Sequence, residues 1–246
     1  MKAWPYPFWI AHRGAGRLAP ENTLAAFRLG AEHGYRMFEC DAKLSADDVP
    51  FLLHDSTLER TSNGRGVAGE QPWSALAQLD AGAWHSRRYA GEPLPTLEAL
   101  IRFCLANRYL LDIEIKPTPG AERRTGEAVA QLVARLWVRT DLPPPVLTSF
   151  APESLEGALA AEPALPRGLL LDSLREGWLD TASRLECAAI VCNYGLWDAA
   201  MVAQVHAADM RALSYTVNDE SVALWLAGLG TDGIVTDRVD RFSPAR

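Results

Sequence analysis

Cysteine is scarce in this chain, with four in 246 residues, at positions 40, 104, 187 and 192. No two of them form a C-x-x-C pair, so neither a disulfide scaffold nor a zinc ribbon is expected, and the four read as reduced, mostly buried thiols. Positive charge is also short: 24 Lys and Arg against 31 Asp and Glu leave a net charge of −7. That balance excludes the broad basic footprint of a nucleic-acid or anionic-membrane binder, so an anionic ligand has to be met by a local cluster of cations. No run approaches the roughly 18 apolar residues of a membrane span, and no apolar signal-peptide core follows Met1-Lys2-Ala3-Trp4-Pro5-Tyr6-Pro7. The expectation is a cytoplasmic protein without nucleic-acid partners or integral membrane association. A third glycine is missing after Gly14-x-Gly16, which counts against an open doubly wound sheet with a dinucleotide-binding turn.

What is present is a regular alternation. Short, mostly apolar segments at 8–11, 37–41, 109–115, 146–149, 168–171, 189–192, 212–217 and 233–236 read as strands covered on both faces. Between them lie helical patterns at 22–33, 97–106, 121–138, 152–161, 174–185, 199–208 and 220–228. Asn22, Thr96 and Asp219 stand where N-caps belong, and Gly34 where the first helix would close. Eight strands alternating with helices over about 250 residues predict a TM-free α/β fold, the TIM (β/α)8 barrel, as one domain over residues 1–246. Residues 55–95, rich in Gly, Pro and Ser, are too long for an ordinary loop. They predict an insertion after the second strand that shapes the mouth of the barrel.

Ionisable residues gather at strand ends. His12 and Arg13 end the first strand, Glu39 and Asp41 the second, and Glu114 and Lys116 the third, while His54 and Asp55 follow the apolar run Phe51-Leu52-Leu53. Residues two apart on a strand share a face, so Glu39 with Asp41, and Glu114 with Lys116, project in pairs. Three carboxylates at neighbouring strand ends repel one another. A divalent cation resolves this, and all-oxygen ligation suits Mg²⁺ or Ca²⁺. The competing reading is a structural ion network with Arg13 and Lys116; two histidines at the same mouth weigh against it.

His12-Arg13-Gly14, Pro20-Glu21-Asn22-Thr23, Glu39-x-Asp41, His54-Asp55-x-x-Leu58-x-Arg60-Thr61, Glu114-Ile115-Lys116 and Asp232-Gly233-Ile234-Val235-Thr236-Asp237 together resemble the glycerophosphodiester phosphodiesterase family, in its order, from about residue 8 to 240. The resemblance implies a barrel with an insertion after its second strand and hydrolysis of a small glycerophosphodiester to sn-glycerol 3-phosphate and an alcohol. It implies Glu39, Asp41 and Glu114 as metal ligands, His12 and His54 as the general acid–base pair, and Arg13 and Lys116 as phosphate contacts. Similarity to phospholipases that form cyclic phosphates suggests a two-step course in which the glycerol 2-hydroxyl attacks first. Phe150 and Tyr215, the latter standing where family members often carry Trp, suit a wall for the glycerol backbone.

Physical chemistry fits that assignment, since diester cleavage needs positive charge on the phosphoryl oxygens and two proton transfers, and imidazole titrates near 6.5. Three rivals remain at this stage. A metal-assisted aldolase would want one base beside a carbonyl rather than two histidines. A non-catalytic phosphate-binding module would not need them. A lysophospholipase D-type enzyme on the same barrel would need an apolar channel, which sequence does not reveal. Arg60, Thr61 and Asn63 read as loop anchors, and His33, His85 and His206 as surface or loop residues. Exposed helix aromatics leave a homo-oligomer open.

Overall fold

A computed structural model describes residues 4–242 and 244; Met1, Lys2 and Ala3, used in reading the N-terminus, lie outside the described residues. In chain order the elements are β1 (Trp9–Ala11), α1 (Leu24–Glu32), β2 (Met37–Leu44), β3 (Pro50–Leu52), α2 (Trp73–Leu76), α3 (Leu97–Asn107), β4 (Leu110–Ile115), α4 (Glu122–Leu136), β5 (Val146–Ser149), α5 (Pro152–Ala161), β6 (Arg167–Leu171), α6 (Trp178–Arg184), β7 (Cys187–Asn193), α7 (Ala199–Ala207), β8 (Arg211–Tyr215), α8 (Glu220–Leu229) and β9 (Gly233–Thr236). Eight strands run parallel in the order β1-β2-β4-β5-β6-β7-β8-β9, and β9 pairs back onto β1, which closes the barrel. β3 lies outside it, antiparallel to the end of β2. The expected TIM barrel is therefore present. The apolar run 51–53, which lies outside the eight expected strands, supplies most of the extra one.

Period-two alternation separates two packing layers. On β2 and β4, Phe38, Cys40, Ala42, Leu111, Ile113 and Ile115 turn outward into the layer shared with the helices. Ile10, Met37, Leu110, Val146, Leu170, Val191, Leu213 and Val235 form a smaller cluster with Tyr6 inside the barrel. The inward residues of β2 and β4 pair in register as Met37 with Leu110, Glu39 with Asp112, and Asp41 with Glu114. The barrel interior thus changes from apolar at its N-terminal end to charged at its C-terminal end.

The segment between β3 and α3 folds on its own satellite core, which includes Phe51, Leu53, Leu58, Leu76 and Leu94. Several caps match the sequence: Thr96 accepts from Ala99 N, and Asp219 from the amides of Ser221 and Val222. Asn22 does not cap α1. Thr23 takes that place, accepting from Ala26 N, and Asn22 is buried with φ +58° for another purpose. The helix expected from 174 begins only at Trp178, after Gly177. His206, expected on the surface, is half-buried and bonds through Nε2 to Asp232 Oδ2 at 2.8 Å.

Candidate active site

The charged end of the barrel opens into a cavity of about 240 Å³ lined by His12, Arg13, Glu39, His54, Glu114, Lys116, Phe150 and Tyr215, among others. Asp41, fully buried, is not part of that lining. Eight of the nine residues singled out in the sequence thus line this mouth, and Asp41 lies buried against Glu39 and Glu114.

The acids come first because they are the costliest. Glu39, Asp41 and Glu114 offer carboxylate oxygens within 4.8 Å of one another. Burial raises Glu39 well above the ordinary carboxylate range, and the neighbouring Asp41 charge adds to it. Glu114 rises to about 7 for the same two reasons. Burial pushes Asp41 upward too, but Arg13, His54 and Lys116, with a hydrogen bond from Asn22, together hold it at about 2. Glu39 Oε1 and Asp41 Oδ1 are buried without a hydrogen-bond partner. Two orphaned carboxyl oxygens among three crowded acids form a donor set that fits a hard divalent cation. Asn22 serves this cluster rather than a helix end. Its Nδ2 donates to Asp41 Oδ2 at 2.7 Å and its Oδ1 accepts from Asp41 N at 3.1 Å.

The cations are locked from several sides. Arg13, with φ +51°, donates its backbone N–H to Glu39 Oε2 at 3.0 Å. Its side chain places Nη1 2.7 Å from Glu21 Oε1 and Nε 3.2 Å from Asp41 Oδ2. Lys116 Nζ lies 2.7 Å from Glu114 Oε1 and 5.4 Å from the Phe150 ring centre. Lys43, two residues beyond Asp41 and 1% exposed, donates from Nζ to the Lys116 carbonyl at 2.9 Å. Burial draws this ammonium down to about 8.

Each histidine has a carboxylate behind it. His12 Nδ1 is 2.6 Å from Asp237 Oδ1, which leaves Nε2 facing Glu39, 3.8 Å away. Asp237 is held in turn by Asn218, whose Nδ2 donates to Oδ2 at 2.9 Å and whose Oδ1 accepts from the Asp237 amide at 2.9 Å. His54 Nδ1 is 2.7 Å from Asp55 Oδ1, and burial lowers its pKa despite the nearby Asp41 charge. A carboxylate on Nδ1 favours the tautomer with its proton there and leaves Nε2 as the unprotonated ring nitrogen. Gly16 makes the first of these pairings fit. At φ +56°, a Cβ there would stand 2.2 Å from the Asp237 carbonyl oxygen, so only glycine lets the loop after β1 lie against Asp237.

Phe150 and Tyr215 meet edge to face, with ring centres 5.7 Å apart, and Tyr215 Oη donates to the Leu171 carbonyl at 3.0 Å. Sequence reasoning missed the partners more than the principals: Asp237, Asn218, Lys43, Asp112, and the part played by Glu21. Asp112 carried a readable signal, since it stands two residues before Glu114 and therefore faces inward. Buried and bonded by Thr148 Oγ1 at 2.8 Å, it is driven by burial to about 7.

Residues 12–241 match the sequence profile of the glycerophosphoryl diester phosphodiesterase family. A glycerophosphodiester phosphodiesterase of Caldanaerobacter subterraneus is 30% identical over 233 residues, covering 93% of each chain. Among solved structures, an Oleispira antarctica phosphodiesterase in complex with the product sn-glycerol-3-phosphate superposes with a TM-score of 0.89 at 35% identity, covering 94% of this chain and 93% of that one. A glycerophosphodiester phosphodiesterase from Agrobacterium tumefaciens gives 0.81 at 29% identity, covering 97% and 99%.

Proposed function

Because the chain belongs to the glycerophosphoryl diester phosphodiesterase family, and so to the phosphoric diester hydrolases, we propose that it cleaves small glycerophosphodiesters to sn-glycerol 3-phosphate and an alcohol. Catalysis uses His12 and His54 as a general acid–base pair and depends on a divalent cation, Mg²⁺ or Ca²⁺, at Glu39, Asp41 and Glu114. One observation carries the reading: two carboxylate-backed imidazoles line one cavity with Glu39 and Glu114, and in the trio that these form with buried Asp41, Glu39 Oε1 and Asp41 Oδ1 lack partners. The solved neighbour that holds sn-glycerol-3-phosphate supports the substrate class.

When bound, the cation would supply positive charge against a phosphoryl oxygen. Arg13 and Lys116 add fixed positive charge at the same mouth and orient the diester. One imidazole Nε2 takes a proton from the glycerol 2-hydroxyl as it attacks phosphorus, the other delivers one to the departing alkoxide, and water then opens the cyclic phosphate to glycerol 3-phosphate with the two roles reversed. Phe150 and Tyr215 form the wall against which the glycerol carbons pack. Four buried, free cysteines support a cytoplasmic setting. The test is a panel of glycerophosphodiesters assayed with chelator and with each cation restored. Release of glycerol 3-phosphate only with cation is the expected result; full turnover in chelator would refute the metal assignment.

A second reading, action on diesters carrying one acyl chain, has one observation in its favour. A recess of about 260 Å³, lined by Leu169, Leu171 and Trp178 and rimmed by Asp172, Arg175 and Glu176, shares Phe150 and Leu170 with the main cavity. Choline release from a short-chain lysophosphatidylcholine tests it.

A further inference from the structure

We propose that Arg60, which belongs to the insertion and does not line the main cavity, is a positioning residue that sets His54 and Arg13 in one arrangement. The inference deepens the functional reading above and rests on it. The Arg60 guanidinium grips two carboxylates at once. Nε and Nη2 reach Asp55 Oδ2 and Oδ1 at 2.6 and 2.9 Å, while Nη1 and Nη2 reach Glu21 Oε2 and Oε1 at 2.8 Å each. Asp55 Oδ1 also bonds His54 Nδ1, and Glu21 Oε1 also accepts from Arg13 Nη1. The path His54–Asp55–Arg60–Glu21–Arg13 is thus unbroken, and it joins the insertion to β1.

Its anchorage is firm although Arg60 itself is half-exposed. Leu58 is buried in the satellite core, Thr61 is buried beside it, and Ser62 Oγ donates to the Leu58 carbonyl at 2.6 Å. Hydrogen bonds and charge from Arg60 help hold both Asp55 and Glu21 below the ordinary carboxylate range, so both remain anionic acceptors. A lysine could not replace this fork, because one ammonium offers a point charge where four directed N–H···O bonds are made. Without Arg60, Glu21 would be left with Arg13 and Asp55 with His54 as the remaining partners, and nothing would tie the two carboxylates together. Asp55 could then turn, the His54 ring would lose its fixed tautomer, and Arg13 would lose the rigidity of its Glu21 partner.

The experiment compares R60A, R60K, D55N and D55N/R60A with the wild type. Loss of such a supporting contact is expected to lower kcat by about 10–100-fold, with R60K recovering little of it. Added guanidinium ion should restore part of the R60A rate, and the double variant should be no worse than the poorer single one, because both act through the same His54 contact. Side-chain ¹⁵N spectra should show His54 with Nδ1 protonated in the wild type and averaged between tautomers in R60A, or in R60K if R60A does not fold. Wild-type kcat in either Arg60 variant, additive losses in the double variant, or an unchanged His54 tautomer would overturn the proposal. If the wild type turns over no glycerophosphodiester, the functional reading falls by itself, and the tautomer comparison still decides the role of Arg60.

Discussion

Asp41 and Glu114 stand in register on β2 and β4, and each has a second acid two residues earlier on the same face, Glu39 and Asp112. Four carboxyl groups therefore share one buried patch of barrel interior, which folding tolerates through Arg13, Lys116, Asn22, Thr148 and the protonation that burial favours. The arrangement stores unfavourable electrostatics at the point where a doubly charged ion would relieve it.

D41N and E114Q are each expected to weaken Mg²⁺ or Ca²⁺ binding by at least about tenfold and to reduce turnover more than that. Calorimetric titration with the metal alone checks the first effect. E114Q should remain folded in chelator, since burial already favours the neutral form of Glu114, whereas D41N also takes from Arg13 a buried partner and should lower Tm; a wild-type metal affinity in both would remove the trio from the site.

Stability should respond to cation in a pH-dependent way. The folded chain holds a proton on Glu114 up to about pH 7, whereas the unfolded chain releases it near the ordinary value of 4.5. Without cation, this group's contribution to stability therefore falls as pH rises through that window, because the folded state binds more protons than the unfolded one. A bound cation favours the ionised form and offsets the loss. The cation-induced rise in Tm is expected to be small near about pH 5 and to grow towards about pH 8. A thermal-shift series across that range reads it, and an increment independent of pH would contradict the coupling.

Replacing His12 or His54 by Ala should lower kcat by about 10²–10⁴-fold if the pair transfers protons. D237N should cost about 10–100-fold, because the amide can no longer hold His12 Nδ1 as an anionic acceptor does. Steady-state rates at saturating substrate decide the matter, and an unchanged rate in either histidine variant removes that residue from the chemistry.

Gly16→Ala combines a positive φ with a Cβ 2.2 Å from a carbonyl oxygen, so the loop after β1 must move. A loss of about 1–3 kcal/mol in unfolding free energy is expected, together with reduced turnover as His12 separates from Asp237. Denaturant unfolding measures the first part; full stability in this variant would mean that the loop has an alternative seat.

The barrel and the main side chains were legible because both follow from simple periodicities. Strand alternation put Glu39 and Asp41 on one face, and motif order brought His12 and His54 to one end. What escaped were contacts between residues distant in sequence. Nothing local to Asp237 announces that it meets His12, 225 positions away, and Lys43 looks like an ordinary strand-end lysine until its ammonium is seen beneath Lys116. Asn22 misled for a related reason. Its position before a helix fits a cap, yet Thr23 beside it caps equally well, and only the fold reveals that Asn22 is needed by Asp41.

The lobe between β3 and α3 has a further consequence. It has its own apolar nucleus and supplies His54, while the acids sit on β2 and β4, whose pairing extends over six consecutive residues. The acidic cluster and the outer wall of the mouth are therefore carried on separable parts of the chain. Remodelling the outer surface of the lobe offers a route to altered alcohol preference that leaves the barrel's interior charge pattern intact, so long as the Asp55–Arg60–Glu21 tether is kept.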